Sequence, residues 1–255
     1  MKYLRSLSLC SVVAAASLAS CFVSSASADY QYGFGNVSIN YLDWSQGTES
    51  RTHETKKDFT YLELEGGAGF SWGEIYGFAD LENPTKSNEE DNGNGRRVAM
   101  KGTIRYYLGN TGFNLYGHVY DLSSNGFDEQ NRLLGVGYNF EKNNFFFKPF
   151  LTVNNTNKHG FGDFSGFNGY VAGWVLGYSF KIADQNMMVT NWHEYEFDRD
   201  KEYSDGEKNG VNGAVALWWN ATQHITAGVQ YRYAYNKLGA NCNQNAMIYS
   251  LKYNF

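Results

Sequence analysis

The sequence predicts an all-β protein, a single antiparallel transmembrane β-barrel of about 12 strands with short periplasmic turns and longer extracellular loops. Three observations carry this. Segments that alternate apolar and polar residues recur along the chain. Their connections are alternately short and long. Beyond the first 28 residues, no apolar run is long enough for a spanning helix.

The opening residues read as an export signal. Lys2 and Arg5 precede a largely apolar stretch from Leu7 to Val23, and Ala26-Ser27-Ala28 forms a small-residue cleavage site. Residues 1–28 are therefore expected to be a cleaved signal peptide and 29–255 the barrel. Leu18-Ala19-Ser20-Cys21 offers a competing lipoprotein-type cut with acylation of Cys21. Cleavage before Asp29 would leave 19 basic residues (21 less two) against 26 acidic ones, a net −7. That balance argues against a nucleic-acid polymer as partner, which wants a basic footprint. Only Cys242 would remain, so neither a disulfide framework nor a cysteine metal set is available. No metal or other cofactor is expected.

The chain has 20 Tyr, 18 Phe and 28 Gly but two Pro, which favours strands and turns. A mean hydropathy of −0.50 agrees with a barrel, because only one face of each strand meets lipid.

The first segment, about Asn36 to Trp44, alternates Val37, Ile39 and Tyr41 with Asn36, Ser38 and Asn40. In the second, Phe59 to Ala68, Leu62 and Leu64 oppose Tyr61, Glu63 and Glu65. The third, Glu74 to Glu82, sets Ile75, Ala79 and Leu81 against Tyr76, Phe78 and Asp80. The fourth, Arg97 to Leu108, has Lys101, Thr103 and Arg105 in the polar phase. The fifth, Phe113 to Asp121, puts Tyr116 and His118 there. Segments six to ten fall at about 131–140, 145–154, 168–180, 187–197 and 210–219, with Glu194 and Glu196 in the polar phase of the ninth. The eleventh, His224 to Tyr235, carries Arg232 opposite Tyr231 and Tyr233. The twelfth ends the chain with Met247, Tyr249, Leu251, Tyr253 and Phe255 in phase.

Gly109-Asn110-Thr111-Gly112, Glu141-Lys142-Asn143-Asn144 and Asn220-Ala221-Thr222 are turn-formers. Residues 45–57, 83–95, 198–209 and 236–245 are longer and more polar, and are expected as outer loops. The even strand count puts both ends on the periplasmic side. Unpaired backbone groups in hydrocarbon cost several kcal/mol each, so the sheet must close. Twelve strands lie between the ~8 that side chains can fill and the ~16 that leave an open channel, which predicts a narrow lumen. The aromatic end at Phe255 looks like the signal read by the outer-membrane barrel assembly machinery.

Carboxylates are costly on a lipid face, so Glu63, Glu65 and Asp80 are expected in the lumen with Tyr61, Tyr76, Phe78, Arg105 and Arg232. These are the candidate solute-binding residues. Rings stack a flat solute and charged groups bond a hydroxylated one, weakly enough for release. Inward acids and bases also pair with one another to hold the wall, and that reading has equal weight for any one residue.

Asn40-Tyr41-Leu42-Asp43-Trp44, Tyr61-Leu62-Glu63-Leu64-Glu65-Gly66-Gly67 and Glu74-Ile75-Tyr76-Gly77-Phe78-Ala79-Asp80 resemble the N-terminal signature of the Tsx/OmpK family, nucleoside-specific channel-forming outer-membrane proteins. Phe78 stands where members often have Tyr. The resemblance implies a twelve-stranded barrel, passive uptake of nucleosides, and outer loops exploited by bacteriophage.

Two other functions compete. An outer-membrane enzyme would need a nucleophile, base and orienter. The five histidines (His53, His118, His159, His193 and His224) are scattered and no Gly-x-Ser-x-Gly appears, so no catalytic residue is assigned. An adhesin or phage receptor would act through loops such as Asn88–Gly93 and Asp198–Lys208.

Overall fold

A computed structural model describes residues 29–89, 95–160 and 162–255. The expected leader with its Cys21 alternative, and residues 90–93 of the acidic loop stretch, lie outside the described residues. Twelve antiparallel strands close into a barrel. They are β1 (Tyr30–Trp44), β2 (Phe59–Phe70), β3 (Gly73–Glu82), β4 (Arg97–Tyr107), β5 (Phe113–Ser124) and β6 (Phe127–Tyr138, continued by Phe140–Lys142), then β7 (Phe145–His159), β8 (Phe164–Ile182), β9 (Gln185–Phe197), β10 (Gly210–Asn220), β11 (Ile225–Lys237) and β12 (Ala240–Asn254). Each pairs with its sequence neighbours, and β1 pairs with β12 from Asn36↔Asn254 to Trp44↔Ala246, so no edge is left open.

Every predicted segment is a strand in the predicted phase. Leu64 and Leu134, 57% and 67% exposed, face outward, while Asn40, Asn114 and Thr156 are 2% exposed or less and face inward. This is a soluble protein turned inside out, with an apolar exterior and a polar core. Tyr41 and Tyr235 add exposed rings towards the outer ends of their strands; Tyr106, Phe113 and Trp219 do so at the periplasmic ends. Polar groups on the outer face satisfy one another. Asn191 accepts from Trp174 Nε1 at 2.7 Å and donates to the Ala214 carbonyl at 2.8 Å, and His193 Nδ1 lies 2.9 Å from the Tyr233 hydroxyl.

Strand ends differ from expectation where the chain leaves the lipid. β1 begins six residues earlier than its alternation suggests, and β6 begins at Phe127, through the polar Asp128-Glu129-Gln130. Beyond either edge of the lipid the outward face need not be apolar, so the apolar–polar signal fades while the hydrogen-bond ladder continues. The same effect corrects one loop. Residues 236–245, expected as a long connection, form a hairpin turned at Leu238 and Gly239, both at positive φ, with β12 already running from Ala240. The outer connections after β5 and β7 are likewise short, so only those after β1, β3 and β9 are long. Two of the long ones carry helices, α1 (Gln46–Arg51) and α2 (Lys201–Ser204). Ser45 caps α1, and Thr48 pins it to β12 by donating to the Asn245 carbonyl at 3.1 Å and accepting from the Asn245 N–H at 2.9 Å.

Candidate functional site

The lumen is divided unequally. One half is filled. Tyr116 on β5 stacks on Phe150 of β7 with centroids 4.4 Å apart, and Leu133 and Val171 complete a dry cluster. Beneath it, Arg105 plugs a break in the wall. β6 interrupts its ladder around Asn139, opposite Lys148 and Pro149, where proline has no N–H to donate. The Arg105 guanidinium donates to the stranded carbonyls of Lys148 (3.0 Å) and Pro149 (3.4 Å), lies over the Tyr116 ring at 4.6 Å, and pairs with Glu74 at 3.4 Å. Lys148 Nζ meets the same Glu74 at 2.5 Å. His118 is buried here, with Nδ1 3.3 Å from the Tyr116 hydroxyl.

The other half is lined by β9–β12 and β1–β3, where Ala214, Ala216, Ala234, Ser38 and Ser250 keep the inner face low. Along β2 and β3, register sets Glu63 opposite Asp80 and Glu65 opposite Phe78. Glu65 is tied down by Lys252 Nζ (2.6 Å), Asn36 Nδ2 (3.0 Å) and the Tyr76 hydroxyl (2.9 Å). Glu63 accepts from Ser38 at 3.4 Å and lies 3.8 Å from Lys252. One Asp80 carboxylate oxygen is buried with no protein hydrogen bond. Two carboxylates directly opposite on one face repel unless a proton or a donor is shared between them.

The facing wall supplies rings and cations. Trp192 of β9 points inward beneath the Arg232 guanidinium, 5.3 Å from its centroid, and Lys101 approaches the same ring at 5.9 Å. Lys101 on β4 reaches Glu194 on β9 at 3.3 Å, five strands away around a ring of twelve. This bridge crosses the lumen. Trp218 lies flat where Gly228 has no side chain, with Lys252 4.4 Å above it. Towards the outer mouth, Trp44, Phe59, Tyr61, Leu42 and Ile248 pack together, Arg97 covers Phe59 and pairs with Glu82, and Lys56 of the α1 loop lies over Trp44 at 5.5 Å. Burial, then the charges of Arg97 and Arg232, push the Lys56 ammonium down to about 8. At the periplasmic rim an open cleft of about 760 Å³ is lined by Asn144, Phe180, Lys181, Met187, Asn220 and Asn254.

The structure thus brings Tyr61, Glu63, Glu65, Tyr76, Phe78 and Asp80 onto one wall, with Arg232 across from them, and sets Arg105 apart in the filled half. Trp192, Trp218 and Lys252 were missed. Trp192 shares the polar phase of Glu194 and Glu196, a signal visible in the sequence. For Trp218 there was none, because Trp218-Trp219 puts one ring on each face.

The model of the nucleoside-specific channel-forming protein family, Tsx, matches residues 39–255. The chain belongs to this family. Among solved structures it is similar to the NanC porin, at 10% identity and a TM-score of 0.51 over 85% of this chain and 98% of that one. It also resembles the KdgM porin (12% identity, TM-score 0.46, 86% and 99% covered) and the outer membrane phospholipase of Salmonella typhi (11%, 0.44, 89% and 94%). This family member is an outer-membrane channel that passes small solutes through its barrel. Among the described residues no group of three His, Cys, Asp or Glu side chains is placed to hold a metal ion.

Proposed function

We propose that the channel is selective for nucleosides, which diffuse passively along the half-open side of the lumen. The supporting observation is the facing arrangement of ring and acid. Trp192, capped by Arg232 and Lys101, offers a face to a flat base, and the Glu63–Asp80 wall offers acceptors to ribose hydroxyls. Base–aromatic stacking is worth about 1–3 kcal/mol, so one or two contacts retain a solute without trapping it. The Tyr61 and Tyr76 hydroxyls and Phe78 extend this wall, and Arg232 adds a donor. Arg105, closed off by its own carbonyl partners, serves the wall itself.

In planar bilayers the purified protein conducts, and adenosine or thymidine reduces the current. Intact conductance with no block by any nucleoside removes the nucleoside claim and leaves the channel standing. The same reading includes export by a leader cut before Asp29 and delivery to the barrel assembly machinery through Phe255. That ring is exposed, and its backbone N–H bonds to the Gly35 carbonyl at 3.0 Å. The long outer loops after β1, β3 and β9 are the surface a bacteriophage would use.

A further inference from the structure

The β9–β10 loop, residues 198–209, is bound down onto the barrel. Arg199 at its start is 3% exposed, and its guanidinium donates to the carbonyls of Asn236 (2.8 Å), Glu207 (3.0 Å) and Asn209 (2.9 Å) while lying 3.4 Å from Glu196. The Asp200 N–H then donates to Asn168 Oδ1 on β8 at 3.1 Å. From there a buried hydrogen-bonded path crosses the wall. Asn168 donates to Thr156 on β7 (3.1 Å), Thr156 to Asn131 on β6 (2.7 Å), and Asn131 to Glu129 Oε1 (2.7 Å). That same oxygen accepts from the Tyr203 hydroxyl of α2 at 3.1 Å, so the path closes on the loop where it began.

Tyr203 is held from the other sides as well. Its carbonyl accepts from Lys158 at 3.3 Å, and the Lys158 and Lys237 ammoniums stand 4.8 and 5.9 Å from its ring. Lys237 is itself ion-paired with Glu196. A buried polar network of this kind is rigid, because any opening strands several groups at once. Glu129 on β6 and Lys237 on β11 are five strands apart on a ring of twelve, and Tyr203 touches both. The loop therefore overlies the arc from β6 to β11. The arc from β1 to β4, where Arg97 covers Phe59 and Lys56 lies over Trp44, is outside the reach of this loop.

We propose that the β9–β10 loop is a fixed cover on the outer mouth, latched by Tyr203 to Glu129, and that this cover rather than the strand number sets the largest solute admitted. The claim concerns size for any neutral solute, so it stands or falls separately from nucleoside selectivity. Liposome swelling with uncharged sugars of increasing size reads it directly, with heat-modifiable gel mobility reporting that each variant is folded. Tyr203→Ala shifts the cut-off upward and speeds disaccharide swelling about twofold or more relative to monosaccharide, since the ring is lost from a narrow opening. Glu129→Gln with Tyr203→Phe removes the latch while keeping both side-chain volumes, and also shifts the cut-off upward. A folded Tyr203→Ala barrel with the same cut-off overturns the proposal. So does a folded Glu129→Gln, Tyr203→Phe barrel with the parent cut-off. If Tyr203→Ala does not fold, the Glu129→Gln, Tyr203→Phe pair gives the same decision.

Discussion

The Lys101–Glu194 bridge gives the sharpest test of the lumen as drawn. Its charged atoms are 3.3 Å apart and the side chains are 18% and 15% exposed, so neither is fully solvated. At an effective dielectric of about 20 the Coulomb attraction is about 5 kcal/mol, and desolvation of both ions returns most of it, leaving about 1–2 kcal/mol. Lys101→Met leaves Glu194 unmatched in the lumen, Glu194→Gln leaves Lys101 unmatched, and the double variant leaves neither. The cycle should therefore be non-additive by about 1–2 kcal/mol, with the double variant more stable than the sum of the singles predicts. Equilibrium urea unfolding in lipid vesicles, followed by tryptophan fluorescence, measures this. Single-channel recordings supply the second axis. Lys101→Met shifts selectivity towards cations, Glu194→Gln towards anions, and the double variant conducts more than the parent because the strap across the lumen is gone. Additivity within about 0.3–0.5 kcal/mol together with unchanged conductance would refute the bridge as a constriction.

Arg105→Leu should destabilise the barrel by about 2–4 kcal/mol by stranding Glu74 and the Lys148 and Pro149 carbonyls, yet leave fractional block by nucleosides unaltered in bilayers. Gly228→Ala places a methyl where the Trp218 ring lies, and should lift that ring from beneath Lys252, seen as a shifted tryptophan emission maximum. The Lys56 ammonium, at about 8, is disfavoured in the folded state, so the folded barrel holds fewer protons than the unfolded chain between pH 8 and 10.5. Stability from this group therefore rises with pH through that window, and the mouth loses one positive charge above pH 8. Reversal potentials in a salt gradient should move towards cation preference between pH 7 and 9, and Lys56→Met should abolish that step.

The fold was legible because lipid enforces alternation more strictly than a mixed core does. Val37-Ser38-Ile39-Asn40 declares both of its faces in four residues. What alternation reports is an environment, and it fell silent wherever the environment did. The start of β6 at Asp128-Glu129-Gln130 and the hairpin at Leu238-Gly239 lie beyond the lipid, where no apolar outward face is required, so only hydrogen bonding marks them as sheet. The lumen-facing phase was legible too, and it placed Glu63, Glu65 and Asp80 together. It did not separate a solute wall from a structural plug. Lys101 and Arg105 share one face of β4, and only the break opposite Pro149, a property of the neighbouring strands, commits Arg105 to the plug. Nor does any local pattern announce Tyr203, whose partners lie on strands distant in the chain.

The seam between β1 and β12 has a practical consequence for anyone handling this molecule. The Phe255 N–H bonds to the Gly35 carbonyl, so the last residue sits beside the first strand on the inner rim. A reporter fused behind Phe255 would hang below the membrane, out of reach of any reagent added to intact cells. A short linker could join the two ends, and the chain could be recut at an outer hairpin such as Asn125-Gly126, which would carry a new terminus to the cell surface without disturbing a single rung of the sheet.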